Sequence, residues 1–74
     1  MNRLHPAHAA LLRELRIGKG LTLSALASKI GVTKQCVRLW ELGQAPNPLH
    51  LRLYMRVLGV SEKVRKAIIR NVAK

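Results

Sequence analysis

The sequence predicts an all-α domain of five short helices, on three observations. The chain of 74 residues is long enough for one small domain, formed by residues 1–74 together. Trp40 and Tyr54 are its only aromatic residues, so aliphatic side chains must form the core, which favours helices over sheets. Apolar residues also recur at three- and four-residue spacing. The predicted helices span residues 7–17, 23–30, 34–42, 48–58 and 62–71.

The first two helices are delimited by proline, threonine and glycine. Pro6 suits a first helical turn, and Gly18 and Gly20 are expected to end the helix that follows it. Thr22 is a suitable N-cap for the second helix, and Gly31 is a suitable C-terminal glycine. The first part of the chain, up to Gly31, is therefore predicted to form two short helices.

The other three helices begin and end on similar signals. Thr33 can cap the third helix, which Gly43 ends before a loop that contains proline and asparagine. Pro48 allows the fourth helix to begin after that loop. Ser61 can cap the fifth helix, where the carboxylate of Glu62 at the positive helix end is stabilising.

The charge of the chain points to a polyanionic partner. The chain has 14 lysine and arginine residues against 3 acidic residues, a formal charge of +11. Such a surface attracts nucleic acid or anionic membranes. The single cysteine, Cys36, excludes an internal disulfide, and no apolar run is long enough for a secretory signal or a membrane span. We therefore expect an intracellular protein, while composition alone does not choose between nucleic acid and an anionic membrane as its partner.

The segment LTLSALASKIGVTKQCVRLWELG, residues 21–43, contains the second and third helices. Two short helices joined through Gly31 must cross steeply, and Ala27 supplies a small residue where the second approaches the first. Val37 and Trp40 are then expected to point inward from the third helix. Three long polar side chains are left on its outer face, namely Lys34, Gln35 and Arg38.

This segment resembles the helix-turn-helix of the Cro/XRE-type family, which includes lambdoid phage repressors. The resemblance extends over roughly residues 12–61. It implies a repressor in the cytoplasm of a bacterial or phage-infected cell. Such a repressor binds a near-palindromic double-stranded DNA operator as a homodimer, with the recognition helix, residues 33–42, in the major groove. The matching positions are Ala27, Gly31, Val37, Trp40, Glu41 and Gly43.

The resemblance also implies which residues contact bases. Side chains at the start of a recognition helix meet base edges, where glutamine can pair with adenine and lysine or arginine with guanine. Lys34, Gln35 and Arg38 fit this scheme. The family commonly reads bases with the residues that match Lys34 and Gln35, and often with a third at the position of Leu39, which here could contact only a thymine methyl group.

Phosphate contacts are expected from helix N-termini and from nearby polar side chains. Thr22 and Thr33 mark two such N-termini, and Gln44 and Asn47 follow the recognition helix. Lys19 and Lys29 would add general positive charge. Ordinary surface polarity is the alternative for each of these residues.

The family pairs a glutamate at the position of Glu41 with an arginine at the position of Arg16. The resemblance therefore implies a partly buried Arg16–Glu41 ion pair that fixes the recognition helix to the first helix. A solvated surface pair, which would contribute little to stability, is the alternative.

The fourth helix has two apolar sides. Leu49, Leu53 and Val57 form a stripe at four-residue spacing, which the fifth helix, a second protomer or another protein could cover. Together with Ile69, this stripe is the predicted homodimer interface. In the alternative function, an antitoxin-like module would use the stripe to bind a second protein. The side expected to face the core consists of Leu51, Tyr54, Met55 and Leu58.

The fifth helix is amphipathic, with basic residues on one side. These residues could form a solvated face, contact flanking phosphates, or bind a membrane surface or an acidic partner. The last reading is disfavoured because this helix has no Trp or Phe to anchor it in lipid, so we expect no membrane partner. The basic residues are Lys63, Lys66, Arg70 and Lys74.

No pattern in the sequence indicates catalysis or a cofactor. The three glutamates lie on separate helices, aspartate is absent, and no serine has a recognisable partner base. His5 and His8 are three residues apart but lack a third metal ligand nearby. We therefore expect neither an enzyme nor a metal site.

Overall fold

The computed structural model describes residues 3–72 and contains the five predicted α-helices in order. The described residues form no strand, only an isolated antiparallel bridge between Arg3 and Gln44. The all-α prediction is therefore confirmed, while Lys74 lies outside the described residues. The helices are Pro6–Gly18 (α1), Leu23–Ile30 (α2), Lys34–Glu41 (α3), Pro48–Leu58 (α4) and Glu62–Arg70 (α5).

Side chains cap the helix N-termini, and the three caps that the sequence predicted, Thr22, Thr33 and Ser61, are confirmed. The hydroxyl of Thr22 accepts from the backbone N–H of the third helical residue at 3.0 Å, and Thr33 does the same at 3.3 Å. Asn47 and Ser61 cap α4 and α5 in the same way. At α1 the ring nitrogen Nδ1 of His5 is the acceptor, a role that the sequence did not reveal.

Helices α2 and α4 have the predicted bounds, whereas α1, α3 and α5 differ from the predictions by one residue. Gly18 was expected to end α1 but is its last residue, because the chain leaves the helix at Lys19 and turns at Gly20, whose φ is +69°. Helices α3 and α5 end one residue earlier than predicted, because Leu42 and Asn71 are their C-caps.

All five helices contribute to one hydrophobic core. Helices α2 and α3 pack against each other, and α1 packs against both α3 and α4. The indole of Trp40 reaches from α3 to the ring of Tyr54 on α4, with 5.1 Å between the ring centroids. The fully buried side chains are Leu12, Leu26, Val37, Tyr54, Met55, Leu58 and Ile68.

Leu4 joins the segment before α1 to the end of α3. Leu4 is buried, and its N–H donates to the carbonyl of Gly43 at 2.8 Å. Gly43 has a φ of +114°, a backbone conformation that favours glycine. The sequence does not reveal this contact, because a single leucine ahead of a proline forms no periodic pattern.

The two apolar sides of α4 differ in burial. Leu51, Tyr54 and Met55 are buried, as is Leu58. On the other side, Leu53 and Val57 are half-buried and pack against the core, whereas Leu49 is 60% exposed. Helix α5 contributes Ile68 to the core and leaves Ile69 exposed. The four residues predicted as an interface therefore do not form one uniformly exposed surface.

Candidate nucleic-acid interface

Helix α3 presents polar side chains outward because its other face is anchored in the core. Val37 and Trp40 are buried against α1, α2 and α4. Lys34, Gln35 and Arg38 are exposed on the opposite face. Leu39 is 37% exposed and borders these three side chains on the helix surface. The four residues predicted to contact bases therefore lie on one accessible side of one helix.

The start of α3 also offers backbone donors. The hydroxyl oxygen of Thr33 accepts from the N–H of Cys36, so the cap satisfies one of the free amides at this helix end. The N–H groups of Lys34 and Gln35 precede the hydrogen-bonded turns of the helix and remain positioned for an anion. Both side-chain and backbone donors are thus concentrated at this end of α3.

The remaining residues predicted around α3 are exposed on neighbouring segments. Thr22 caps α2, and Asn47 caps α4 through its carbonyl oxygen at 2.8 Å, a bond that leaves its amide nitrogen for another acceptor. Gln44 is held by its backbone N–H, which donates to the carbonyl of Leu39 at 3.0 Å. The loop after α3 is therefore tied directly to this helix.

Lys19 and Lys29 lie at a recess near the end of α4, away from Asn47. They line a shallow recess together with Leu21 and Val57. The Lys19 ammonium group lies beside Gly59, which ends α4, whereas Asn47 begins that helix. The Lys19 ammonium group and Asn47 therefore lie at opposite ends of α4. A helix of 11 residues is about 16 Å long, which is roughly the distance between them.

Arg16 and Glu41 form a partly buried ion pair between α1 and α3. Arg16 Nε donates to Glu41 Oε2 at 2.5 Å and Nη2 donates to Oε1 at 3.3 Å. Arg16 Nη1 also donates to the carbonyl of Leu21 at 2.8 Å, an acceptor that the sequence did not indicate. The two side chains are only 12% and 9% exposed, so this geometry differs from that of a solvated surface pair.

Tyr54 lies close to this pair. Its side chain is fully buried, and its hydroxyl finds no hydrogen-bond partner within residues 3–72. Burial raises the pKa of Tyr54 far above its ordinary value, and the Glu41 carboxylate raises it further, while the charge of Arg16 acts in the opposite direction. Tyr54 therefore stays protonated in the folded protein.

This environment predicts a loss of stability at alkaline pH. The unfolded chain releases the Tyr54 proton near pH ~10, whereas the folded chain retains it, so unfolding releases a proton above that pH. Stability is therefore unaffected by this group below pH ~10 and falls as pH rises beyond it, by about 1.4 kcal/mol up to pH ~11.

The variant Tyr54→Phe is expected to abolish this alkaline loss and to be nearly neutral at pH ~7, because the hydroxyl has no partner to lose. Urea unfolding of both proteins from neutral to alkaline pH measures the difference. Identical pH profiles for the two proteins would contradict this account of Tyr54.

Other chemistry-bearing features of the described chain are few. Within residues 3–72 no three histidine, cysteine or acidic side chains come together as metal ligands. None of the described helices combines the length and apolar character that crossing a bilayer requires. Cys36 is a half-buried free thiol that accepts a hydrogen bond from the Thr33 hydroxyl at 3.3 Å.

Comparison with known proteins agrees with this geometry. A family model described as helix-turn-helix, of the Cro/C1 type, matches residues 12–64, which is more than half of the chain. No curated protein matches the chain. The matched range includes α2, the turn at Gly31 and α3, as well as both members of the Arg16–Glu41 pair. The chain therefore belongs to the Cro/C1-type helix-turn-helix family, also called the XRE family, whose members are DNA-binding transcription regulators.

Proposed function

We propose that this regulator is a repressor that binds a near-palindromic operator as a homodimer in the cytoplasm. The observation that carries the proposal is the outward presentation of Lys34, Gln35 and Arg38 from a helix whose other face is buried. A rigidly anchored helix holds its polar side chains at fixed positions, which base recognition requires.

Each outward side chain has a role that fits its chemistry. Gln35 can donate to and accept from one adenine, while Lys34 and Arg38 can each donate to the acceptors of a guanine. Leu39 can pack against a thymine methyl group. These residues would determine sequence preference.

Phosphate contacts would orient α3 in the groove. Thr22, Gln44 and Asn47 have exposed polar side chains at helix N-termini or in the loop after α3. The Thr33 hydroxyl donates to Cys36 Sγ, so at that helix end the backbone N–H groups that follow Thr33 would bind the phosphate. Lys19 and Lys29 would then contribute mainly long-range attraction, because they line a recess near the other end of α4.

A dimer fits the size of the molecule. Half-sites of such regulators lie about 34–36 Å apart, one turn of the double helix. The longest dimension of this chain is 28 Å, so two copies can occupy neighbouring major grooves on one face of the duplex. A dimer bound on that face of the duplex would exclude polymerase from the same DNA. Repression would therefore need no further interaction surface on the protein.

Fluorescence anisotropy tests the proposed function. The purified protein is titrated against DNA from upstream of its own gene and against a scrambled duplex, at two salt concentrations. A preference of about a thousandfold or more for the upstream duplex, with affinity falling as salt rises, is the expected result. Equal binding to both duplexes that disappears with salt would contradict sequence recognition.

The exposure of Leu49 supports a second candidate function. Leu49 is 60% exposed on α4, and Ile69 is 56% exposed on α5. An antitoxin-like module could bury such residues against a second protein. This alternative predicts a stable complex with another chain and only weak, uniform DNA binding, so the same titration distinguishes the two functions.

A further inference from the structure

A recess of about 540 Å³ lies where the segment before α1, helix α1 itself and the end of α3 meet. Its lining extends from Leu4 and Ala9 to Leu42 and Gly43, and Asn71, just beyond α5, borders it as well. Small-molecule sites usually have volumes of roughly 300–1,000 Å³. The residues assigned above to base and phosphate contacts do not line this recess, so it is separate from the proposed DNA contacts.

Much of the lining is apolar. Leu4 and Ala9 are buried in the core, while Pro6 and Ala10 are exposed beside them. Leu42 is 73% exposed, more than any other large hydrophobic residue that the structure describes. An apolar group bound here would remove this surface from water, which favours binding.

Two guanidinium groups, those of Arg3 and Arg13, belong to the same lining and are exposed. Arg13 Nε lies 3.9 Å from Glu41 Oε1, which is too far for a hydrogen bond, and its side chain is 54% exposed. Both oxygens of Glu41 already accept hydrogen bonds from Arg16. The carboxylate in the lining is therefore neutralised, and both lining arginines have donors left for an anion.

We propose that this recess binds a small organic carboxylate, whose apolar body packs between Leu42 and the first half of α1 and whose charge is held by Arg13 and Arg3. A guanidinium donates two parallel hydrogen bonds to a carboxylate, so this lining favours a carboxylate over a spherical anion such as chloride. The volume of the recess limits the ligand to a small molecule.

The position of Arg3 connects this recess with the loop after α3. Arg3 and Gln44 form an antiparallel bridge, so their side chains leave the backbone on the same side, with Cβ atoms about 5 Å apart. A carboxylate held by Arg3 therefore places negative charge near the phosphate that Gln44 would contact, where like charges repel. The carboxylate and the operator should weaken each other's binding by the same factor, a coupling that rests on the proposed function.

NMR titration of isotope-labelled protein tests the site, with butanoate, octanoate and phenylacetate as the probes. At least one of these carboxylates is expected to cause saturable amide shifts at Leu4, Ala10 and Gly43. The uncharged analogues butanamide and phenylacetamide should bind about fivefold or more weakly, because they cannot form a charged pair with a guanidinium. No saturable shift at these residues with any of the three carboxylates would overturn the proposal.

Substitutions separate the recess from general attraction to a basic protein. Arg13→Gln should weaken carboxylate binding about fivefold or more, whereas Arg65→Gln, the same change at an exposed residue of α5 outside the recess, should have no effect. Ala10→Leu should abolish binding, because the larger side chain occupies the recess at an exposed helical position that accepts leucine. Thermal melting confirms that each variant folds. Equal weakening by Arg13→Gln and Arg65→Gln would overturn the proposal.

Anisotropy titration with the upstream duplex measures the coupling. The bound carboxylate replaces sodium chloride at equal concentration, so that ionic strength stays constant. The duplex dissociation constant is expected to rise about fivefold in the wild type and to stay unchanged in Ala10→Leu. An unchanged constant in the wild type with the carboxylate bound would overturn the coupling. A failure to bind the duplex without any carboxylate would contradict the proposed function instead, and the NMR titration would still decide whether the site exists.

Discussion

Replacing Glu41 by glutamine is expected to lower the free energy of unfolding by about 2–3 kcal/mol, because the guanidinium of Arg16 would lose its carboxylate in a partly buried site. The remaining bond from Arg16 to the carbonyl of Leu21 cannot neutralise that charge. For a chain of this size the melting temperature should fall by roughly 10–20 °C. Thermal unfolding followed by circular dichroism measures the change.

Glu62→Gln is the matched control, because Glu62 forms a fully solvated pair with Lys66. Both of those side chains are more than two-thirds exposed, so the control should lose less than about 1 kcal/mol. If Glu41→Gln and Glu62→Gln shift the melting temperature equally, the ion pair does not fix α3 to α1. The packing of Val37 and Trp40 in the core would then be the main attachment of α3.

Replacing Gln35 by alanine is expected to remove preference at one base pair of the operator. The loss should be about 1–3 kcal/mol against the preferred base, equivalent to roughly 5- to 150-fold in relative affinity. Affinity for unrelated duplexes should change little, because phosphate contacts supply most of that binding. Selection of preferred duplexes from a random pool, before and after the substitution, measures the effect position by position.

Gln44→Ala provides the control with the same chemical change. Gln44 lies in the loop after α3, so its loss should weaken binding to every duplex by a similar factor and leave the selected sequence unchanged. If Gln35→Ala weakens all duplexes equally and the selected sequence is retained, Gln35 does not read a base.

Much of the fold could be predicted because local signals decide it. Thr22, Thr33, Asn47 and Ser61 all cap helices, and each has a side chain that can accept from a free backbone N–H. The inward position of Trp40 followed from helical spacing. These features depend on residues close together in the chain, so a single sequence is sufficient to identify them.

Features that depend on distant residues were harder to predict. The burial of Leu4 requires the end of α3 to lie beside the N-terminus, and no periodic pattern signals that contact. The position of Lys19 at the end of α4 depends on the packing of α1, α2 and α4.

The claim that α3 reads DNA is tested most directly by the NMR amide spectrum of isotope-labelled protein during titration with a preferred duplex. We expect the largest shifts at Thr33, Lys34, Gln35 and Arg38, since the start of α3 enters the major groove. Smaller shifts should occur at the loop residues Gln44 and Asn47. Shifts confined to the basic residues of α5, with α3 unchanged, would contradict the claim that α3 reads DNA.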